Sequence, residues 1–281
     1  MMIKEEIAPE KTDTASGDKW RALRQYMARF TSDGALVAFS GGVDSALLLY
    51  AAHGTGGRLA ALTTHSLSMP LNDLLDAREF CALLGVRHIL RETHELENPL
   101  YVVNDANRCY HCKYELFDLA REVAAELGLA QVFYGYTASD TGDERPGHRA
   151  AVEQGVRFPL AELGFTKEDI RALMRRFNLP LADKPASPCL ASRVGRGIAV
   201  SERHLEAVAA TENILRTAGL RTFRVRVSGA GRELFLRIEC DPREAARVLP
   251  LAGKLNDEGL RRGYRWVTLD LGGYKRGGAN R

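Results

Sequence analysis

The sequence predicts an α/β fold: a parallel sheet flanked by helices, followed by a smaller α+β domain. Three observations predict it. Short continuous apolar runs alternate with stretches whose apolar residues recur at helical spacing, from Ala35 to Thr137. The runs are apolar throughout, as in strands buried on both faces. Beyond residue 197 the pattern changes to strand-like segments that alternate apolar and polar residues, the mark of a half-exposed antiparallel pair.

The elements follow in order. Residues 1–18 are polar, lack an apolar core, and read as a tail, not a signal peptide. "DKWRALRQYMARF" is an amphipathic helix with Asp18 as N-cap. "ALVAFS" is a buried strand, "DSALLLYAAHG" a helix closed by Gly54, and "RLAALTTHS" a second strand. "LNDLLDAREFCALLG" is a helix ending at Gly85, "VRHILRE" a third strand, "CYHCKYELFDLAREVAAELG" a long helix and "QVFYGYT" a fourth strand. Strands alternating with helices imply right-handed crossovers, with ligands bound at the carboxyl ends of the strands. Ser40, His65 and Tyr136 fall at such ends. "TKEDIRALMRRFNLP" is a helix capped by Thr166, and "LADKPASPCLASRVGRG" is a loop or boundary. A helix at 201–218, the strands "FRVRVSG" and "RELFLRIEC", a helix "DPREAARVLPLAGKLNDEG" and the strand "YRWVTLDLGGY" complete the chain. The expected division is a tail at 1–18, an α/β domain at 19–197 and an α+β domain at 198–281.

Composition narrows the class. The 281 residues are 45% hydrophobic and 27% charged, with net charge +3, the balance of a soluble globular protein. The mild charge does not indicate a nucleic-acid partner, and no stretch approaches the roughly 20 apolar residues of a membrane span. A cytoplasmic location is expected. Five cysteines, an odd number, do not suggest a disulfide framework. Cys81 and Cys240 lie on apolar faces and read as ordinary buried thiols.

Chemistry concentrates in two places. In "SGGVDS", Ser40 to Ser45, an apolar strand opens through two glycines into a helix. The glycines let backbone approach a phosphate, and the helix start offers free N–H groups. Ser40 and Ser45 can donate hydroxyls; Gly41, Gly42 and Val43 supply backbone; Asp44 fits best if Mg²⁺ accompanies the phosphates. The lysine of the common phosphate loop is missing. The second place is Cys109-x-x-Cys112 at the start of a helix, with Cys189 in the Pro-rich loop. Such thiols can form a redox pair, half a zinc site or part of an iron–sulfur site.

"SGGVDS" resembles the pyrophosphate loop of the N-type ATP pyrophosphatases (the PP-loop superfamily, adenine nucleotide alpha hydrolase-like). These enzymes split ATP to AMP and pyrophosphate and adenylate a substrate oxygen. "NRCYHCKYELF", "YGYTASDTGDERPGHRAA", "KPASPCLASR" and "DLGGYKRGG" resemble the ATP-dependent sacrificial sulfur transferases of the LarE family. That family makes the pyridinium bisthiocarboxylate mononucleotide of the nickel-pincer cofactor of lactate racemase. The resemblance runs from about Ala35 to the C-terminus.

It implies a transferase that adenylates a carboxylate of pyridinium-3,5-biscarboxylic acid mononucleotide and inserts sulfur, with ATP and Mg²⁺. Three cysteines imply the family's [4Fe–4S] type, in which Cys109, Cys112 and Cys189 hold a cluster whose open iron carries hydrosulfide. Other members sacrifice the sulfur of the residue matching Cys189. By the same resemblance Ser40–Ser45, His65, Gly135, Asp140, Asp143 and Arg145 bind nucleotide or Mg²⁺. Lys113 neutralises phosphate charge. Arg193, with the same-face pair Arg224 and Arg226, holds the substrate phosphate, and Glu212 and Glu239 are weaker metal candidates. Thr137 and Ser139 stand where the family has Asn and Asp. A sulfide or other sulfur donor and a homo-oligomer, a hexamer by the same resemblance, are further expectations. The competing readings are a tRNA thiolase and a nucleotide- and cluster-binding sensor without turnover.

Overall fold

The computed structural model describes residues 15–137, 146–231 and 233–275. Four parallel strands form the first sheet: β1 (Ala35–Ala38), β2 (Leu59–His65), β3 (Arg87–Glu92) and β4 (Gln131–Tyr134), in the order β3-β2-β1-β4. β1 is central, with Ala38 opposite Leu62 of β2 and Tyr134 of β4. Alternate residues of β1 face opposite sides, as a strand requires. Ala35 and Val37 join an apolar cluster with α1 (Ala15–Phe30), α2 (Val43–His53), α3 (Leu71–Leu84) and α8 (Lys167–Arg176). Leu36 joins a second cluster with α5 (Arg108–Glu126) and α6 (Pro146–Glu153). The sheet is thus covered on both faces.

Short helices α4 (Pro99–Val102) and α7 (Pro159–Glu162) fill the connections. The smaller region has α9 (Glu202–Thr217), β5 (Phe223–Ala230), β6 (Glu233–Cys240), α10 (Ala252–Arg261) and β7 (Val267–Leu269). β5 and β6 are antiparallel as expected, but β7 runs parallel to β6, so this sheet is mixed. Its apolar cluster also takes in Tyr101 of α4 and Leu190, Ala191 and Val194 of the Pro-rich loop.

Three element boundaries differ from the sequence reading. α1 starts at Ala15, so Asp18 is not its cap but lies in the first turn, bonded to Arg21 at 2.9 Å, where a carboxylate suits the helix dipole. α2 is entered from Gly42, not Asp44. The long helix expected from Asp241 breaks into 3₁₀ turns at Pro242–Arg247 and Leu249–Leu251 before α10, because Pro250 offers no N–H and crowds the preceding turn. Thr166 caps α8 in a capping box with Asp169, and Gly85 ends α3 in the left-handed conformation, φ 65°. No helix among the described residues is long and apolar enough to cross a membrane.

A candidate nucleotide and thiol site

The strand order reverses between β1 and β4: β2 and β3 lie to one side of β1, and β4 to the other. In an open α/β sheet this switch point opens a crevice beyond the carboxyl ends of the strands. Ser40–Ser45 leaves β1 there, and Gly135 leaves β4 beside it.

The backbone explains both sets of glycines. Gly41 has φ 70°, and a β-carbon on it would lie 2.2 Å from the Asp73 carbonyl oxygen of α3. A β-carbon on Gly135 would lie 2.8 Å from the Ser45 nitrogen. Only glycine therefore lets the end of β4 close on the start of α2. The Ser45 hydroxyl donates to the Gly42 carbonyl at 3.1 Å, accepts from the Ser40 amide at 3.3 Å and lies 3.2 Å from the Ser40 hydroxyl. Ala46 is the first residue of α2 to bond back, to the Gly42 carbonyl. The amides before it are the orphan donors of a helix start, which suit an anion. Asp44 is ion-paired with Lys167 at the start of α8.

The sequence reading missed Lys184. Its ammonium donates to the Gly41 carbonyl at 2.8 Å and pairs with Asp73 and Asp76 of α3 at 2.7 and 2.5 Å. The signal lies in the sequence: Lys184 opens "KPASPCLASR", where it is one charge in a loop. His65, at the end of β2, accepts the Thr93 amide through its carbonyl and is half-buried on the same edge of the sheet. Asp140, Asp143, Arg145 and Ser139 lie outside the described residues.

The thiols share one neighbourhood but not a metal site. Among the described residues no group of three or more His, Cys, Asp or Glu side chains could hold a metal ion. The expected [4Fe–4S] centre on Cys109, Cys112 and Cys189 is therefore corrected. Each cysteine is differently engaged. Cys109 is exposed and accepts from the Arg108 guanidinium at 3.7 Å. Cys112 is half-buried against the C-terminal apolar cluster and donates to Glu95 at 3.7 Å; burial pushes its thiol well above the usual range. Cys189 begins the 3₁₀ turn Leu190–Arg193, and its carbonyl accepts from Ser192 and Arg193. The other two cysteines are buried as expected, and burial pushes Cys81 up to about 12.

Two cations face these thiols. Arg108, unremarked in the sequence reading, is tied to the Asn104 side chain and the Ala191 carbonyl at 2.6 and 2.8 Å. Burial pulls its guanidinium down, but Cys189 and Cys109 outweigh that and raise it. Lys113 lies 5.0 Å over the Tyr134 ring. Burial would lower its ammonium; Tyr134 and the three nearby thiols reverse the direction.

The arginines under the Cys189 turn divide. Arg193 is 2% exposed and commits its guanidinium to Glu212 at 3.0 Å and to the carbonyls of Pro188 and Cys189. It braces the turn. Arg224 and Arg226 share a strand face as expected: Arg224 reaches the Ala186 carbonyl at 2.9 Å, and Arg226 the Ser192 carbonyl at 3.3 Å. Arg226 is buried and paired with Glu239. Half-buried Arg224 is pulled below the usual arginine range by burial first and by the Arg193 charge second. Glu212 and Glu239 are buried in these arginine pairs, and among the described residues neither stands in a metal-binding group.

No family model matches the chain. Among solved structures, the NMN synthetase of Francisella tularensis is similar in fold, with TM-score 0.52 and 18% identity over 62% of this chain and 76% of that one. An uncharacterized protein of Synechocystis sp. is 39% identical over 94% of this chain and 97% of its own length. The pyridinium-3,5-bisthiocarboxylic acid mononucleotide synthase of Lactiplantibacillus plantarum is 32% identical over 87% of this chain and 88% of its own. With a parallel-sheet fold, a glycine loop at its switch point and near full-length similarity to both relatives, the chain belongs to the family of that synthase, within the PP-loop ATP-pyrophosphatase superfamily.

Proposed function

We propose that this protein is an ATP-dependent sulfur transferase that converts a carboxylate of a small pyridinium mononucleotide to a thiocarboxylate. The observation that carries the reading is the link between the two chemistries. Lys184 bonds the carbonyl of Gly41 in the glycine loop, and the same short segment, five residues on, bears Cys189.

A carboxylate is a poor acyl donor. Attack of its oxygen on the α-phosphorus of ATP, delivered as the Mg²⁺ chelate, forms an acyl adenylate and releases pyrophosphate. Ser40, Ser45 and the amides of Gly41 to Asp44 hold that pyrophosphate, with Gly135 keeping the crevice narrow. Lys113 lies near enough to the thiols to stabilise a thiolate and the departing AMP. Half-buried Arg224 holds the substrate's anionic groups, while buried Arg226, paired with Glu239, braces the strand beneath it. The Cys189 thiolate attacks the acyl carbon and expels AMP, giving a thioester. Loss of the Cys189 α-proton then breaks its Cβ–S bond; sulfur leaves on the substrate as thiocarboxylate and dehydroalanine stays in the chain.

A second reading, a tRNA thiolase, is favoured by 29% identity over 185 residues to a tRNA-specific 2-thiouridylase of Acidithiobacillus ferrooxidans, about half of each chain. One assay separates them. Purified protein with Mg-ATP should form AMP and pyrophosphate when given pyridinium-3,5-biscarboxylic acid mononucleotide and not when given unmodified tRNA. Cys189→Ser should still release pyrophosphate yet form no thiocarboxylate. AMP formation driven by tRNA alone would overturn the proposal.

A further inference from the structure

We propose that Lys184 is the positioning residue of the pyrophosphate loop, acting through the backbone and not by touching phosphate. A peptide unit is planar and trans, so its carbonyl and N–H point to opposite sides. Lys184 holds the Gly41 carbonyl at 2.8 Å, which turns the Gly42 N–H to the other side. The space beside Gly42 is uncrowded: outside its own chain neighbours, a β-carbon there would meet only the Ser40 hydroxyl oxygen, at 3.3 Å.

The loop needs such an anchor. A Gly-Gly peptide has no side chain to hold its plane, and glycine crosses to positive φ at little cost. A flipped Gly41–Gly42 unit would present its carbonyl to the phosphate and turn attraction into repulsion. The lysine is itself held. Asp73 and Asp76 grip its ammonium from α3, and the Asp73 backbone is the wall against which Gly41 leans. The lysine absent from the loop's own sequence is thus supplied from 143 residues away, behind the loop.

This inference rests on reading Ser40–Ser45 as a pyrophosphate cradle, and its test separates the two. Calorimetric affinities for Mg-ATP and for AMP are compared in the wild type and in Lys184→Met/Asp73→Asn; the second substitution avoids stranding a buried carboxylate. The wild type should prefer Mg-ATP. The double variant should lose about tenfold or more in Mg-ATP affinity with AMP affinity held within about twofold, as for loss of one charge-supported donor. Lys184→Arg, which keeps the charge and donors, should restore most of the preference. A double variant that keeps the wild-type preference overturns the role of Lys184 alone. A wild type that binds Mg-ATP no better than AMP overturns the cradle, and this inference with it.

Discussion

At the scale of single residues, the site is set by what small side chains permit and what charged ones hold. Gly135 is the clearest case. Its absent β-carbon lets the end of β4 lie against the first turn of α2. Gly135→Ala should move that junction and weaken Mg-ATP binding by about tenfold, measured by calorimetry, while costing only about 1 kcal/mol of stability. Arg193 shows the opposite kind of constraint. Its buried pair with Glu212 joins α9 to the carbonyls of the Cys189 turn. Removing one partner of a buried pair strands the other charge. Arg193→Met should therefore lower unfolding stability by about 3 kcal/mol in denaturant titration. The family resemblance named both Gly135 and Arg193 as binding residues. It could not tell a substrate cation from a structural one, because that depends on whether a carboxylate 19 residues on folds beneath it.

At the scale of elements, the strands and helices around the sheet were legible because their local signals agree. β1 is apolar throughout, α8 has Thr166 and Asp169 to cap it, and α3 has Gly85 to end it. The segment after β6 was not, because Pro250 interrupts an otherwise helical apolar spacing. β7's parallel pairing was not either: three residues carry no signal of direction. α9 carries a pH dependence of its own. His204 is buried, its Nδ1 bonded to the Tyr264 hydroxyl, and burial lowers it to about 4. Its unfolded value is near 6.5. Below 6.5 the unfolded chain takes a proton that the folded chain refuses. Stability is thus complete above pH 6.5 and falls by about 1.4 kcal/mol per unit as pH drops toward 4. His204→Gln should flatten that slope in denaturant titrations across this range, and an unchanged slope would assign it to other groups.

At the scale of the whole molecule, two regions built on different cores are joined through the segment from Lys184 to Cys189. The glycine loop belongs to the parallel sheet; the Cys189 turn packs into the C-terminal apolar cluster beside Tyr101 and Cys112. Lys184 stands where the chain passes from one to the other. Motif spacing pointed to both halves, and it also suggested a cluster that the geometry does not support, since spacing reports which residues are present and not where their side chains turn. Arg108 and Lys184 were overlooked for the same reason: each was one charge in a polar stretch until the fold placed it against a thiol or a glycine carbonyl. The central claim is that ATP activation and the Cys189 sulfur belong to one turnover. Mass spectrometry of the protein after reaction with Mg-ATP and pyridinium-3,5-biscarboxylic acid mononucleotide tests it most directly. The peptide bearing Cys189 should lose the elements of H₂S in proportion to the AMP formed, with Cys109 and Cys112 intact. Thiocarboxylate product formed while Cys189 keeps its sulfur would contradict it.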